Sequence, residues 1–230
     1  MSRVYLPSDD PENWRSVLAD PDKHWRQGYS ARALAYCWHE AVTWPPEIAE
    51  LWQTASPPQL RTPELLLKLV EHQTTLPGKG HSSQNDLFVL ARAGDGNLVS
   101  VTIEGKVNES FGESLKDWKA NGKGFTANKR TRFESLCQAL GLTEIADTIH
   151  YQLLHRAASA IFEAKRFNAR YAVLIVHSFS PQRAHWEAFT HFVGLYGHVP
   201  QPDNLLELVQ VDTLRLFAGW ATGNLAYLEA

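Results

Sequence analysis

Cysteine is nearly missing from this chain of 230 residues: Cys37 and Cys137 are the only two. That is too few for a disulfide framework and points to a reducing cytoplasm. Long apolar runs are missing as well. None approaches the roughly 20 residues a membrane helix requires, so no membrane partner is expected. The opening MSRVYLPSDDPENW lacks the charged-then-apolar order of a secretory signal. Positive charge is in short supply, with 22 Lys and Arg against 25 Asp and Glu, so any contact with a polyanion must come from a local patch and not from the whole molecule. No Gly-x-Ser-x-Gly elbow occurs, and the histidines form no HxxxH pair or His/Cys cluster in sequence; His150 and His155 are off a common helical face. Zinc hydrolases and serine or cysteine hydrolases are therefore poorly supported.

What the chain does have is a hairpin carrying charge on one face. Asp86 to Arg92 and Leu98 to Val107 are strand-like runs flanking Gly94-Asp95-Gly96-Asn97. Alternation puts Val99, Val101, Ile103 and Val107 on one face and Ser100, Thr102, Glu104 and Lys106 on the other. Register then decides where Asp86 points. A two-residue loop opposes Asp86 to Gly105, whereas a three-residue loop with Gly96 left-handed opposes it to Glu104. Asp86 beside Glu104 and Lys106 outlines a metal-plus-lysine site suited to phosphodiester hydrolysis, with hard oxygen ligands for Mg²⁺ or Mn²⁺. The bland alternative is a charge pair on a solvated sheet surface, contributing at most about 1 kcal/mol.

Around the hairpin, residues 1–58 read as an N-terminal helical extension. Pro7, Pro11 and Pro21 punctuate its start, Ser30 caps a helix from Ala31 to Val42, and Ile48, Leu51 and Trp52 mark a second helix. Its tryptophans are expected to be core. Residues 59–230 read as the main domain. Thr62-Pro63 predicts a helix start, with Leu66, Leu69 and Val70 as its buried stripe and Glu71 on the other side. After the hairpin, Lys116, Lys119, Lys123, Lys129, Arg130 and Arg132 are offset only by Asp117, interleave with Trp118 and Phe125, and flank the loop glycines Gly122 and Gly124. This is a candidate backbone-tracking surface for nucleic acid at the rim of the site. Helices over 133–141, 151–167 and 185–196, a buried strand at 172–176 and strands at 205–211 and 213–220 complete the α/β pattern. Gln152 and Arg156 share a helical face.

The order helix, strand, strand bearing Glu-x-Lys, helices, strand resembles the PD-(D/E)XK nuclease superfamily over Thr62 to Ser180, with Asp86 and Glu104-Gly105-Lys106 as the motif. Asn85 stands where the motif name has proline. The resemblance implies a restriction-endonuclease-like core, a mixed central sheet flanked by helices, and a nuclease acting on nucleic acid, DNA first. It also implies that the Gly105 carbonyl joins Asp86 and Glu104 at the metal. Glu71, matched to a glutamate on the preceding helix, would act through bound water, and Gln152 would hold the network. On this reading Lys106 activates water, and removing Glu104 relieves repulsion with Asp86 without unfolding the chain. The competing expectation is an inactive nuclease-like scaffold whose Trp-rich N-terminal layer pairs two copies or holds a partner.

Overall fold

The computed structural model describes residues 10–230; Pro7, read above as one of three opening breaks, lies outside them. A six-stranded mixed sheet is built from β1 (Glu64–Thr74), β2 (Ser83–Arg92), β3 (Leu98–Lys106), β4 (Tyr171–Ser178), β5 (Leu205–Val211) and β6 (Leu214–Thr222). Its order is β1-β2-β3-β4-β6-β5. The first three strands form an antiparallel meander, β4 lies parallel to β3 and β6, and β5 closes the far edge antiparallel to β6.

Helices α1 (Pro21–His24), α2 (Ser30–Glu40) and α3 (Pro46–Gln53) lie on one side, and α4 (Leu115–Ala120), α5 (Ala127–Leu140), α6 (Tyr151–Phe167) and α7 (Trp186–Gly194) belong to the other. Two apolar cores result. Leu34, Trp38, Leu51 and Trp52 pack on Leu87, Val89, Val101, Ile103 and Ile175, while Leu154, Ala157, Ala158 and Ile161 pack with Ala172, Leu174, Val176 and Leu216. Trp38 and Trp52 are fully buried, as the sequence led us to expect. Their indoles form an edge-to-face chain through Trp44, with centroids 5.9 and 5.3 Å apart. Ser30 is the first residue of α2 and not its cap; Glu109 accepts its N–H at 2.9 Å.

The hairpin register follows from the turn. Leu87 pairs with Ile103 and Arg92 with Leu98; Ala93 N–H bonds to the Asn97 carbonyl at 2.9 Å, and Gly96 sits at φ +81°, the left-handed position the three-residue loop demands. One expectation fails here: the segment after Thr62-Pro63 is not a helix but the edge strand β1, paired with β2 along its length. Leucine, glutamate and lysine favour helix locally, yet an unpaired β2 would leave a row of buried peptide groups unsatisfied, and pairing outweighs propensity.

The polar face of β3 is not solvated either. Ser100 Oγ–H donates to the Ala160 carbonyl at 2.8 Å and Thr102 Oγ1–H to that of Arg156 at 3.0 Å. The small residues of α6 let the helix come close enough for these bonds, so Glu104 and Lys106, further along the same face, are buried beneath it at 2% and 4% exposure. That excludes the solvated charge pair.

Candidate functional site

The meander splays at one end. Val70 pairs with Leu87 and His72 with Asn85, leaving Glu71 and Asp86 opposite each other without a paired register between them. Glu71 has φ +51°, an uncommon conformation for a residue with a Cβ, of the kind that collects at functional sites. On the other side the β2–β3 ladder stops at Leu87, and Asp86 Oδ2 accepts the Gly105 N–H at 2.8 Å, its side chain standing in for a strand. One more step of the observed register sets Asp86 opposite Glu104. Asp86, Glu104, Lys106 and Glu71 therefore converge, with the correction that Glu71 comes from β1 and not from a preceding helix.

Lys106 Nζ donates to Glu104 Oε1 at 2.6 Å and to Gln152 Oε1 at 3.3 Å, and it lies 4.8 Å from the Phe111 ring centroid. Arg156 completes the cluster. Its Nε donates to Glu104 Oε2 at 2.5 Å, one Nη to Ser83 Oγ at 3.0 Å, and the other Nη stands 3.9 Å from Asp86 Oδ1. Gln84 Nε2 donates to Glu71 Oε2 at 2.6 Å. Sequence reasoning did not assign Arg156, Gln84 or Ser83 to the site. The face shared by Gln152 and Arg156 was the available signal for the arginine.

Three carboxylates here meet two cations. Burial alone would raise Glu104, but Arg156 and Lys106 outweigh it and hold the carboxyl down at about 2. Asp86 has no such close partner. Burial and then the Glu104 charge push it up to about 7, and burial with the Asp86 charge lifts Glu71 to about 8. Asp86 keeps 24% of its side chain exposed, so it forms the open lip of the cluster. The lip gathers hard oxygen donors short of positive charge, the ligand type that hard divalent cations take.

The sign of the resulting pH dependence is fixed. A carboxyl raised in the folded state binds its proton there while the unfolded chain has lost it, so stability falls as pH rises from about 4 to about 7 for Asp86. Asp86→Asn removes that cost. It is expected to be more stable than wild type at pH 8 by on the order of 1–2 kcal/mol, allowing for solvent screening at the lip, with the gain vanishing near pH 4. Urea unfolding at both pH values checks this, and an equal gain at both would refute it.

The basic section is placed beside the site but mostly spent on internal contacts. Lys119 pairs with Asp147 at 2.7 Å and caps the Phe133 ring at 4.7 Å; Lys129 donates to the Asn121 carbonyl at 2.7 Å; Arg130 lies 5.0 Å from the Phe125 centroid; Arg132 holds the Pro77 and His81 carbonyls at 3.2 and 2.9 Å. Lys116, Lys123 and Arg130 are the exposed members. Trp118 stacks on Tyr151 at 4.1 Å, mounting this segment on the site helix α6.

A second polar cluster, which the sequence spacing did not reveal, lies in the other core. Cys37, Glu47 and His177 bring ligand-type atoms within 4.8 Å of one another. Trp38 Nε1–H donates to His177 Nδ1 at 3.1 Å, and an indole nitrogen can only donate. The imidazole proton is therefore on Nε2, which donates to Glu47 Oε1 at 2.9 Å. A metal-bound histidine has the opposite arrangement, donating from its second nitrogen. The Cys37 thiol, pushed far up by burial and then by Glu47, stays protonated. These residues do not fit a metal; they form a hydrogen-bonded clasp between α2, α3 and β4.

Fold and site together define an α/β protein with a mixed sheet, helices on both faces and a buried charged cluster where the meander splays. The chain belongs to the family described as a domain of unknown function, DUF6946, whose profile matches residues 7–225. No curated protein and no solved structure matches it. Among the described residues no helix is long and apolar enough to cross a membrane.

Proposed function

We propose that the chain is a metal-dependent nuclease of the PD-(D/E)XK type acting on DNA in the cytoplasm. The observation that carries the reading is the convergence of Asp86, Glu71 and Glu104 with Lys106 at the splayed end of the sheet, where two of the carboxylates lack enough positive charge. Asp86, Glu104 and the Gly105 carbonyl would hold Mg²⁺ or Mn²⁺, with Glu71 behind; the ion would supply charge neutralisation on the phosphate and acidify a water. Lys106, fixed between Glu104 and Gln152, orients that water and offsets charge developing on the phosphate. Arg156 clamps the second Glu104 oxygen, so the carboxylate cannot swing out of line.

One observation favours an inactive scaffold: both Glu104 oxygens already have a cation. Metal titration separates the two readings. With Asp86 raised to about 7 and Glu71 to about 8, a bound cation must displace protons, so calorimetry of Mn²⁺ binding at pH 6 in two buffers is expected to show proton release that disappears at pH 9. Cleavage of plasmid, linear, single-stranded and RNA substrates is assayed in parallel. A wild type that binds no metal and cuts none of them is the scaffold.

A further inference from the structure

Helix α6 brings a further side chain to the cluster. His155 lies three residues beyond Gln152 and next to Arg156, with its ring 5.0 Å from Tyr151 and its Nδ1 2.8 Å from Ser83 Oγ. The direction of that hydrogen bond follows from Arg156. A guanidinium has only donors, so its 3.0 Å contact makes Ser83 Oγ an acceptor. Ser83 is 2% exposed, and among the described residues its own proton has His155 Nδ1 as acceptor. The other tautomer would leave a buried hydroxyl proton without a partner, an unfavourable arrangement. The His155 proton is therefore on Nε2.

The surroundings of that N–H suit an anion. Arg156, Arg132 and Lys106 act on the ring as cations and Glu104 as the opposing anion, and burial followed by Arg156 holds the imidazole well below its ordinary range, so it stays uncharged near neutrality. His155 is half-buried, with its ring beside Tyr151, which in turn stacks on Trp118. We propose that His155 is a fixed-tautomer hydrogen-bond donor to a phosphate oxygen of the bound strand, an inference that rests on the nuclease reading above. Its Nε2–H gives direction where flexible cations give only charge, and the relay Arg156 to Ser83 to His155 keeps that proton on the nitrogen not engaged with Ser83.

The test uses long-range ¹H–¹⁵N spectra of the histidines and fluorescence anisotropy with a short oligothymidylate in Ca²⁺, so that the strand remains intact. Wild type is expected to show the Nε2–H tautomer for His155, and Ser83→Ala a mixture of tautomers. Adding the oligothymidylate shifts the His155 Nε2 resonance. His155→Phe weakens binding about tenfold, and His155→Gln, which keeps an N–H, restores most of it. An Nδ1–H tautomer in wild type overturns the proposal. So does strand binding that leaves Nε2 unmoved and His155→Phe at full affinity, an outcome under which the nuclease reading stands. A wild type that does not bind the oligothymidylate overturns the His155 proposal, and the nuclease reading is then decided by the metal titration and cleavage panel above.

Discussion

Glu104→Ala is expected to lower the unfolding free energy at pH 7 by about 3–5 kcal/mol, the cost of leaving a buried ion pair half-broken. From the sequence, losing this carboxylate only relieves repulsion with Asp86. The structure reverses that expectation, because Glu104 anchors Arg156 at 2.5 Å and Lys106 at 2.6 Å, and those cations are 7% and 4% exposed. Without it both must drag in water or reach Asp86. The carboxyl is held down at about 2 against 4.5, so its stabilisation is complete above about pH 4.5 and is lost as pH falls toward 2. Urea unfolding of wild type and Glu104→Ala should therefore diverge most at neutral pH and converge in acid. Superimposable curves at pH 7 would mean that the two cations are not held by this residue.

Lys106→Met carries the largest expected effect on chemistry, a loss of cleavage on the order of 10²–10³-fold, while metal affinity changes little. The substitution keeps an unbranched stem but removes the ammonium, which stands between Glu104 and Gln152 and near the Phe111 ring. Asp86→Asn differs, losing metal affinity and cleavage together, because it strips the lip of its exposed carboxylate. Both are read from single-turnover cleavage beside calorimetric metal titration. Activity that survives in Lys106→Met would place the reacting centre elsewhere.

These two residues were legible in the sequence because local rules place them. A Gly-Asp-Gly turn sets an odd register, and strand alternation carries that register from the turn to Glu104 and Lys106. Helix α6 was legible to the residue, and its Gln152 to Arg156 spacing hinted at the guanidinium. Strand β1 was not legible: leucines at 65, 66, 67 and 69 satisfy a helical stripe as well as a strand, and only pairing to β2 decides. Nor was the His177 clasp, whose partner Glu47 is 130 residues away in the chain. Burial of the Glu104 face was also hidden, since hydroxyls that bond helix carbonyls look, in sequence, like hydroxyls facing water.

The placement of α2 and α3 over the sheet bears on the order in which the chain can acquire structure during synthesis. Both helices precede the sheet in the chain, yet the surface they cover runs from β2 and β3 to the much later β4 and β6. Their edges are stitched to the short turn Leu225–Leu228: Gly28 N–H bonds to the Leu228 carbonyl at 3.0 Å, and Tyr227 donates to Glu40 at 2.9 Å. A nascent chain must therefore carry Trp38, Trp44 and Trp52 without their lining until β4 and β6 arrive. Contacts of such long sequence separation form slowly and leave apolar surface open to other chains meanwhile.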